Sequence, residues 1–209
     1  APRTLVTSDF LASTVNELDC DALFIVGDTV DRSENVKLVT ELFKQIHVRG
    51  PKLAVFGNWE HWAGIDLDEL SAAYGEADVR LLVNQTFTFE LGATRMTVVG
   101  LDDLVGGYPK FDLVKGTSEL LVILAHCPAS FNRIHTVAGG PTLTFSGHTH
   151  GGQIAPLGFA LWLPPGSGRY VSGWYDVGSH MLFVTRGLGN SVVPFRIGSA
   201  PELSIIHLS

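Results

Sequence analysis

"ALFIVGDTVDR", Ala22 to Arg32, decides how the rest of the chain is read. A short apolar, β-branched run stops at Gly-Asp, and a second Asp and an Arg follow. That is the pattern of a strand ending in polar side chains. Sites in α/β sheets form beyond the carboxyl ends of their strands. The pattern recurs along the chain. "VTSD" ends at Asp9, "AVFGN" at Asn58 and "VILAH" at His126, while "FSGHTH" carries His148 and His150.

Working outward, strands and helices alternate. "TLVTS" reads as a first strand, "FLASTVNELD" as a helix, and "ALFIVGD" as the second strand. "NVKLVTELFKQI", 35–46, has amphipathic helical spacing, "KLAVFGN" is a third strand, and "DLDELSAAYG" is a helix closing on Gly75. "VRLLVNQTFTFELGATRMTVVGLDD" then reads as three strands, with turns at Val83-Asn84 and Gly92-Ala93. "ELLVILAHCP" and "LTFSGHTHGG" are further strands. "RYVSGWYDVGSHMLFVTRG" is a hairpin around Gly178-Ser179, and "PELSIIHLS" is a terminal strand. Pro156 to Gly168 reads as a long loop. The expected fold is α/β: a two-sheet β-sandwich flanked by helices, four layers in α/β/β/α order, with residues 1–209 as one domain.

Composition narrows the function classes. The net charge is −7 and no basic run occurs, which argues against binding a nucleic-acid backbone by charge. Charged residues are 17% of the 209, below the usual quarter, as a largely buried sheet would require. The two cysteines, Cys20 and Cys127, lie in apolar stretches and read as small buried hydrophobes. No segment has the length and apolarity of a membrane span, and no signal peptide is evident. The abrupt start in a strand suggests that a leader or anchor has been removed. The compartment stays open, with a bacterial cytoplasmic or membrane-associated setting as the expectation.

The polar strand ends form a coherent set. Carboxylate, amide oxygen and imidazole suit Mn, Fe or Zn. The glycines beside them let the backbone turn sharply next to an ion. A lone histidine or a lone Gly-Asp is ordinary turn or core chemistry. Five such pieces, each closing a strand, point to a metal site.

In this order "GDTVDR", "GNWE", "AH" and "GHTHGG" resemble the calcineurin-like metallophosphoesterases. The continuation "SGHTHGGQI", "RYVSGWYDV", "TRGLGNS" and "PELSIIHL" is similar to the bacterial YkuE-like branch, to which UDP-2,3-diacylglucosamine hydrolases are related. The resemblance implies two divalent metal ions. Asp28 would bridge them, Asn58, His126 and His148 would complete one shell, and Asp9 and His150 would serve the other. It also implies in-line attack on phosphorus by a metal-held hydroxide, with Arg32 touching phosphate. The substrate would be a phosphodiester or pyrophosphate small molecule, lipid- or UDP-linked in some relatives.

Two departures stand out. The family has Asp-x-His at the first strand, and this chain has Leu11 in place of that His. The interval from Asp9 to Asp28 is also short. Either residues are missing between Asp9 and Phe10, or a genuine deletion leaves that ion with Asp9, Asp28 and His150. In "FGNWEHW", 56–62, Trp59 stands where the family has a His that is steered by the second Asp, here Asp31, and assists the leaving group. An indole cannot deliver a proton. Two ways out are open: His61 reaches in, or the substrate has a leaving group that needs no acid. "IAPLGFALWLPPG", 154–166, could offer Phe159, Leu161 and Trp162 to a lipid tail or membrane face, or could simply pack. The competing function is a non-catalytic descendant that binds metal or ligand only. The oligomeric state is not legible.

Overall fold

The computed structural model describes residues 7–92, 94–115 and 120–208. Its order begins with α1 (Ser8–Glu17), β1 (Leu23–Ile25), α2 (Val36–Gln45), β2 (Lys52–Ala54), α3 (Asn58–Trp62) and α4 (Leu67–Glu76). It continues with β3 (Val79–Leu81), β4 (Gln85–Leu91), β5 (Thr94–Gly100), β6 (Leu121–Leu124), α5 (Phe131–Val137), β7 (Thr142–Ser146), β8 (Gly173–Val177) and β9 (His180–Val184). One sheet holds three parallel strands, β1-β2-β3. The other holds six, in the order β4-β5-β6-β7-β9-β8. In the larger sheet β5, β6, β7 and β9 run parallel, and β4 and β8 close the two edges antiparallel.

Alternation along the strands sorts side chains into layers. Phe24, Leu53 and Val55 of the small sheet meet Val98, Val122, Leu124, Leu143 and Phe145 of the large one. The opposite faces are covered by helices. Ile25, Ala54 and Phe56 pack under α1, α2 and α4 through Val15, Val39, Phe43 and Leu70. Val99, Leu121 and Ile123 pack under Ile134 of α5. The result is the expected four-layer α/β/β/α sandwich. β6 is buried at all four positions because both of its faces are covered, whereas edge strand β4 alternates exposed threonines with inward Phe87 and Phe89.

Three expectations are corrected. Asp9 does not close a strand. Thr7 caps α1, its Oγ1 accepting from Phe10 N at 3.4 Å, so the helical pattern starting at Phe10 extends back through Ser8 and Asp9. Asp9 lies exposed in the first helical turn, where the helix dipole favours an acid; residues 4–6 of the expected first strand lie outside the described residues. The C-terminal "PELSIIHL" forms no strand: Leu203 and Ile206 pack on the two cores, and no backbone ladder is made through 201–208. Cys20 is only half-buried, while Cys127 is fully buried.

One buried cation ties two helix ends to the sheet. Lys52 on β2 is 7% exposed, and its Nζ donates to Phe43 O (3.0 Å), Ile46 O (3.2 Å) and Ala77 O (2.6 Å). These carbonyls close α2 and α4, where helices leave acceptors unpaired and carry partial negative charge. Lys52→Met is expected to lower unfolding stability by about 3 kcal/mol, read by urea denaturation, because it strands buried carbonyls. An unchanged midpoint would contradict this role.

Candidate metal centre

The strand ends converge as the register requires. Asp28 follows β1, Asn58 follows β2, His126 follows β6 and His148 follows β7. Ligand atoms of Asp28, His126 and His148 all lie within 4.8 Å of one another. His126 Nε2 is 3.1 Å from Asp28 Oδ2 and 3.1 Å from His148 Nδ1. Each imidazole spends its other nitrogen on a backbone carbonyl: His126 Nδ1 donates to Val26 O at 2.6 Å, and His148 Nε2 to Pro165 O at 2.7 Å. A carbonyl can only accept, so those nitrogens carry the hydrogens. His126 Nε2 and His148 Nδ1 therefore turn towards each other as acceptors unless a positive species lies between them.

Asn58 supplies an independent sign. It is 3% exposed, and its Oδ1 is buried with no hydrogen-bond partner among the described residues. An orphaned buried acceptor costs about 1–3 kcal/mol. Asp28, two imidazoles with fixed tautomers and an unpaired amide oxygen fit a divalent cation. The backbone carbonyls orient the histidines, as partners of metal-bound imidazoles commonly do.

Electrostatics agree. Burial alone would push the His126 imidazolium down, but the charge and hydrogen bond of Asp28 outweigh it and raise its pKa to about 9. Burial likewise works against the Asp28 carboxylate, yet His126 and the Trp59 N–H hold it below its ordinary value. Burial and His126 push His148 down; burial and Arg196 lower His150 to about 4. Both are neutral at pH 7, the state in which imidazole binds metal.

The glycines of the Gly-Asp and Gly-Asn motifs have two duties. Gly27 adopts φ +89°, and a methyl there would lie 2.6 Å from Gly57 N and 2.7 Å from His126 Nδ1. A methyl on Gly57 would overlap the Asp28 carboxylate. The two loops touch backbone to backbone, and Asp28 itself sits at φ 56°. Glu60 holds this strained junction. Its Oε2 accepts from Asp28 N (3.0 Å) and Gly57 N (2.8 Å), and its Oε1 accepts from Thr29 N (2.6 Å) and Thr29 Oγ1 (2.8 Å). In "GHTHGGQI", Thr149 Oγ1 donates to Val171 O (2.6 Å). Gln153 Nε2 donates to the carbonyls of Ser191 and Val193 at 2.9 Å each.

Other sequence candidates lie around this cluster. His150 Nδ1 is 3.2 Å from both Gly189 O and Arg196 Nη2. Asp31 pairs with Arg32 (3.2 Å) and Asn35 (2.6 Å), and Arg32 is half exposed. His61 stands one helical turn beyond Asn58, with its Nε2 2.8 Å from Asp102 Oδ1. Trp59 donates its backbone N–H to Asp28 Oδ1 at 3.0 Å and packs its ring edge-on against Trp62. Sequence reasoning missed Glu60 and Asp102. "TVVGLDD" ends a strand in acids as the other site strands do, and that signal would have singled out Asp102.

Two outcomes follow from the site. Asn58→Leu should leave the metal-free fold as stable or about 1 kcal/mol more stable, while weakening Mn binding at least about tenfold. Binding to His126 must displace its proton. Apparent Mn affinity should therefore rise with pH, by up to about tenfold per unit, and level off above about 9. Calorimetry across pH reads both; a pH-independent affinity would contradict the assignment of His126.

Comparison with known proteins agrees with this geometry. The chain is 29% identical to the uncharacterized metallophosphoesterase YkuE of Bacillus subtilis, over 93% of this chain and 70% of that protein. It is 28% identical to the phosphodiesterase YaeI of Escherichia coli, over 99% of this chain and 76% of that protein. The solved NAD nucleotidase NadN of Haemophilus influenzae shares the fold, with a TM-score of 0.58 at 12% identity, covering 86% of this chain and 43% of that one. The family model of calcineurin-like phosphoesterases matches residues 6–152, a span that holds Asp28, Asn58, His126 and His148. The chain belongs to the calcineurin-like phosphoesterase family.

Proposed function

We propose that this metallophosphoesterase hydrolyses a phosphodiester or pyrophosphate bond, residues 1–209 acting as one catalytic unit. The observation that carries the reading is the Asp28–His126–His148 cluster completed by the orphaned Asn58 oxygen. These four residues would hold one divalent ion, manganese being our choice. His150, neutral and half-buried, is proposed to serve a second. A divalent ion bound there supplies Lewis acidity to a phosphoryl group and brings the pKa of a bound water from 15.7 to about 7.

The chain's own residues would do the rest. Asp28 is kept ionised by its neighbours, and Glu60 holds its backbone in place. Arg32, half exposed beside Asp31, is proposed to meet a phosphate oxygen. His61 is proposed to supply the proton that Trp59 cannot. His61 stands two residues beyond the position of the family's histidine and is paired with Asp102, so good leaving groups should still be favoured.

The loop 154–166 supports a substrate with an apolar part. It leaves the metal loop after Gln153 and returns where Pro165 O meets His148. Between those anchors Leu157, Phe159, Leu161 and Trp162 are 96%, 75%, 69% and 67% exposed. A lipid- or UDP-linked phosphate, or peripheral contact with a membrane, is proposed for this loop. No helix among the described residues is long and apolar enough to cross a membrane.

With Mn, bis-4-nitrophenyl phosphate and a UDP-sugar should be hydrolysed faster than a dialkyl phosphodiester. Asp28→Asn and His148→Ala should each cost about 10³-fold or more in kcat/KM. Metal binding with no hydrolysis of any ester would favour the binding-only alternative. Vesicle flotation tests the loop: no binding by the wild-type chain would remove the membrane reading.

A further inference from the structure

Beside the metal loop 150–152 lies a cavity of about 400 Å³ whose wall includes Arg186, Arg196, Ser199 and Ala200. The two arginines differ in what they can offer. Arg196 is used up as a donor. Its Nε donates to Gly189 O (3.0 Å), Nη1 to His150 O (3.2 Å) and Ser199 O (3.4 Å), and Nη2 to Arg186 O (2.9 Å). Those acceptors are neutral carbonyls, so its position is fixed while its charge is not cancelled. Arg186 gives Nε and Nη2 to Glu202 Oε2, at 2.6 Å each, and its Nη1 has no acceptor among the described residues. Glu202 is the carboxylate that acts on both arginines. Two guanidinium groups against one carboxylate leave a net positive charge at the cavity, in a chain whose net charge is −7. Burial and the neighbouring Arg186 charge hold the Arg196 pKa below its ordinary value, as such crowding requires.

Ser199 supplies an independent sign. The residue is 2% exposed, and its backbone N–H makes no hydrogen bond among the described residues. Buried backbone N–H groups are rarely left so, and an anion in the cavity would give this one an acceptor. One side chain separates the cavity from the metal cluster. Arg196 Nη2 lies 3.2 Å from His150 Nδ1, and Ser199 Oγ donates to His150 O at 2.6 Å. His150 in turn carries the electrostatic influence of Asp28 and His126. Arg186 crosses Gly151, where a methyl would lie 2.6 Å from the arginine Cγ.

We propose that Arg186, Arg196 and Ser199 form a phosphate subsite beside His150. Arg186 Nη1 and the Ser199 N–H would donate to the phosphate oxygens, and the fixed Arg196 would add charge. A guanidinium suits phosphate because its donors are planar, charged and never lost to deprotonation. The occupant is the second phosphate of a diphosphate substrate or free phosphate. The subsite itself stands apart from the hydrolysis proposed above, and only the first of these two sources rests on it.

The test titrates inorganic phosphate into the metal-free protein by calorimetry, so that no bound ion contributes. Wild type should bind it in the millimolar range or tighter. Arg186→Gln should weaken binding at least about tenfold, because it removes a charged donor. Ala200→Glu places a carboxylate at the cavity wall on an exposed residue and leaves both arginines in place. It should give the same loss, whereas Ala200→Gln should change affinity less than about threefold. This pair serves if Arg186→Gln does not fold. The source is read with Mn. If a substrate's second phosphate occupies the subsite, Arg186→Gln raises KM for a UDP-sugar at least about tenfold. KM for bis-4-nitrophenyl phosphate, which has one phosphate, then moves less than about threefold. If free phosphate is the occupant, neither KM moves and inhibition by phosphate weakens instead. A KM rise shared equally by both esters would put Arg186 at the reacting phosphate and overturn a separate subsite. No phosphate binding by wild type, or binding that Ala200→Glu leaves unchanged, would also overturn it. Phosphate binding by a chain that hydrolyses neither ester would overturn the hydrolysis and leave the subsite standing.

Discussion

Two buried imidazoles face each other across 3.1 Å, and the arrangement is tenable only with positive charge between them or beside them. The second nitrogen of each is spent on a carbonyl, of Val26 and of Pro165. Neither ring can turn away without stranding a buried donor. Metal-free, the proton shared by His126 and Asp28 meets the need; a divalent ion would meet it and would also offer the Asn58 oxygen a partner. The two-sheet frame brings these groups to one rim from four separate strands.

That requirement explains the backbone around the site. Ligands so close require their loops to touch, and only glycine at positions 27 and 57 lets them do so. The junction is strained at Asp28, and the buried Glu60 carboxylate restrains it by collecting backbone N–H groups from both loops. Trp59 fits the same account. What the cluster draws from position 59 is a backbone N–H on Asp28, which any residue but proline supplies. The side chain at position 59 can therefore differ without costing the cluster that contact.

The layers, and the cluster of Asp28, Asn58, His126 and His148, were legible because strands carry their own signal: short apolar runs with polar ends. The amphipathic α2 and α4 were legible for the same reason. Asp9 was misplaced because "RTLVTSD" looks like a strand locally, whereas a Thr cap and the adjoining helical pattern draw its end into α1. "PELSIIHL" was misread because β propensity says nothing about whether a partner strand is within reach. Asp31, which in the family steers the histidine that Trp59 replaces, pairs with Arg32 and Asn35, while His61 pairs with Asp102.

The sequence by itself determined that Asp28, Asn58, His126 and His148 follow strands, and hence the family and a metal-binding cluster. These are local properties of side-chain type, spacing and hydrophobic pattern. Only the tertiary structure decided which nitrogen of each histidine is free, that Asn58 is left without a partner, and that His61 answers to Asp102. Those outcomes depend on hydrogen bonds between residues far apart in the chain, Val26 with His126 and His61 with Asp102 among them. Packing of the two sheets creates such contacts, and no stretch of sequence contains them.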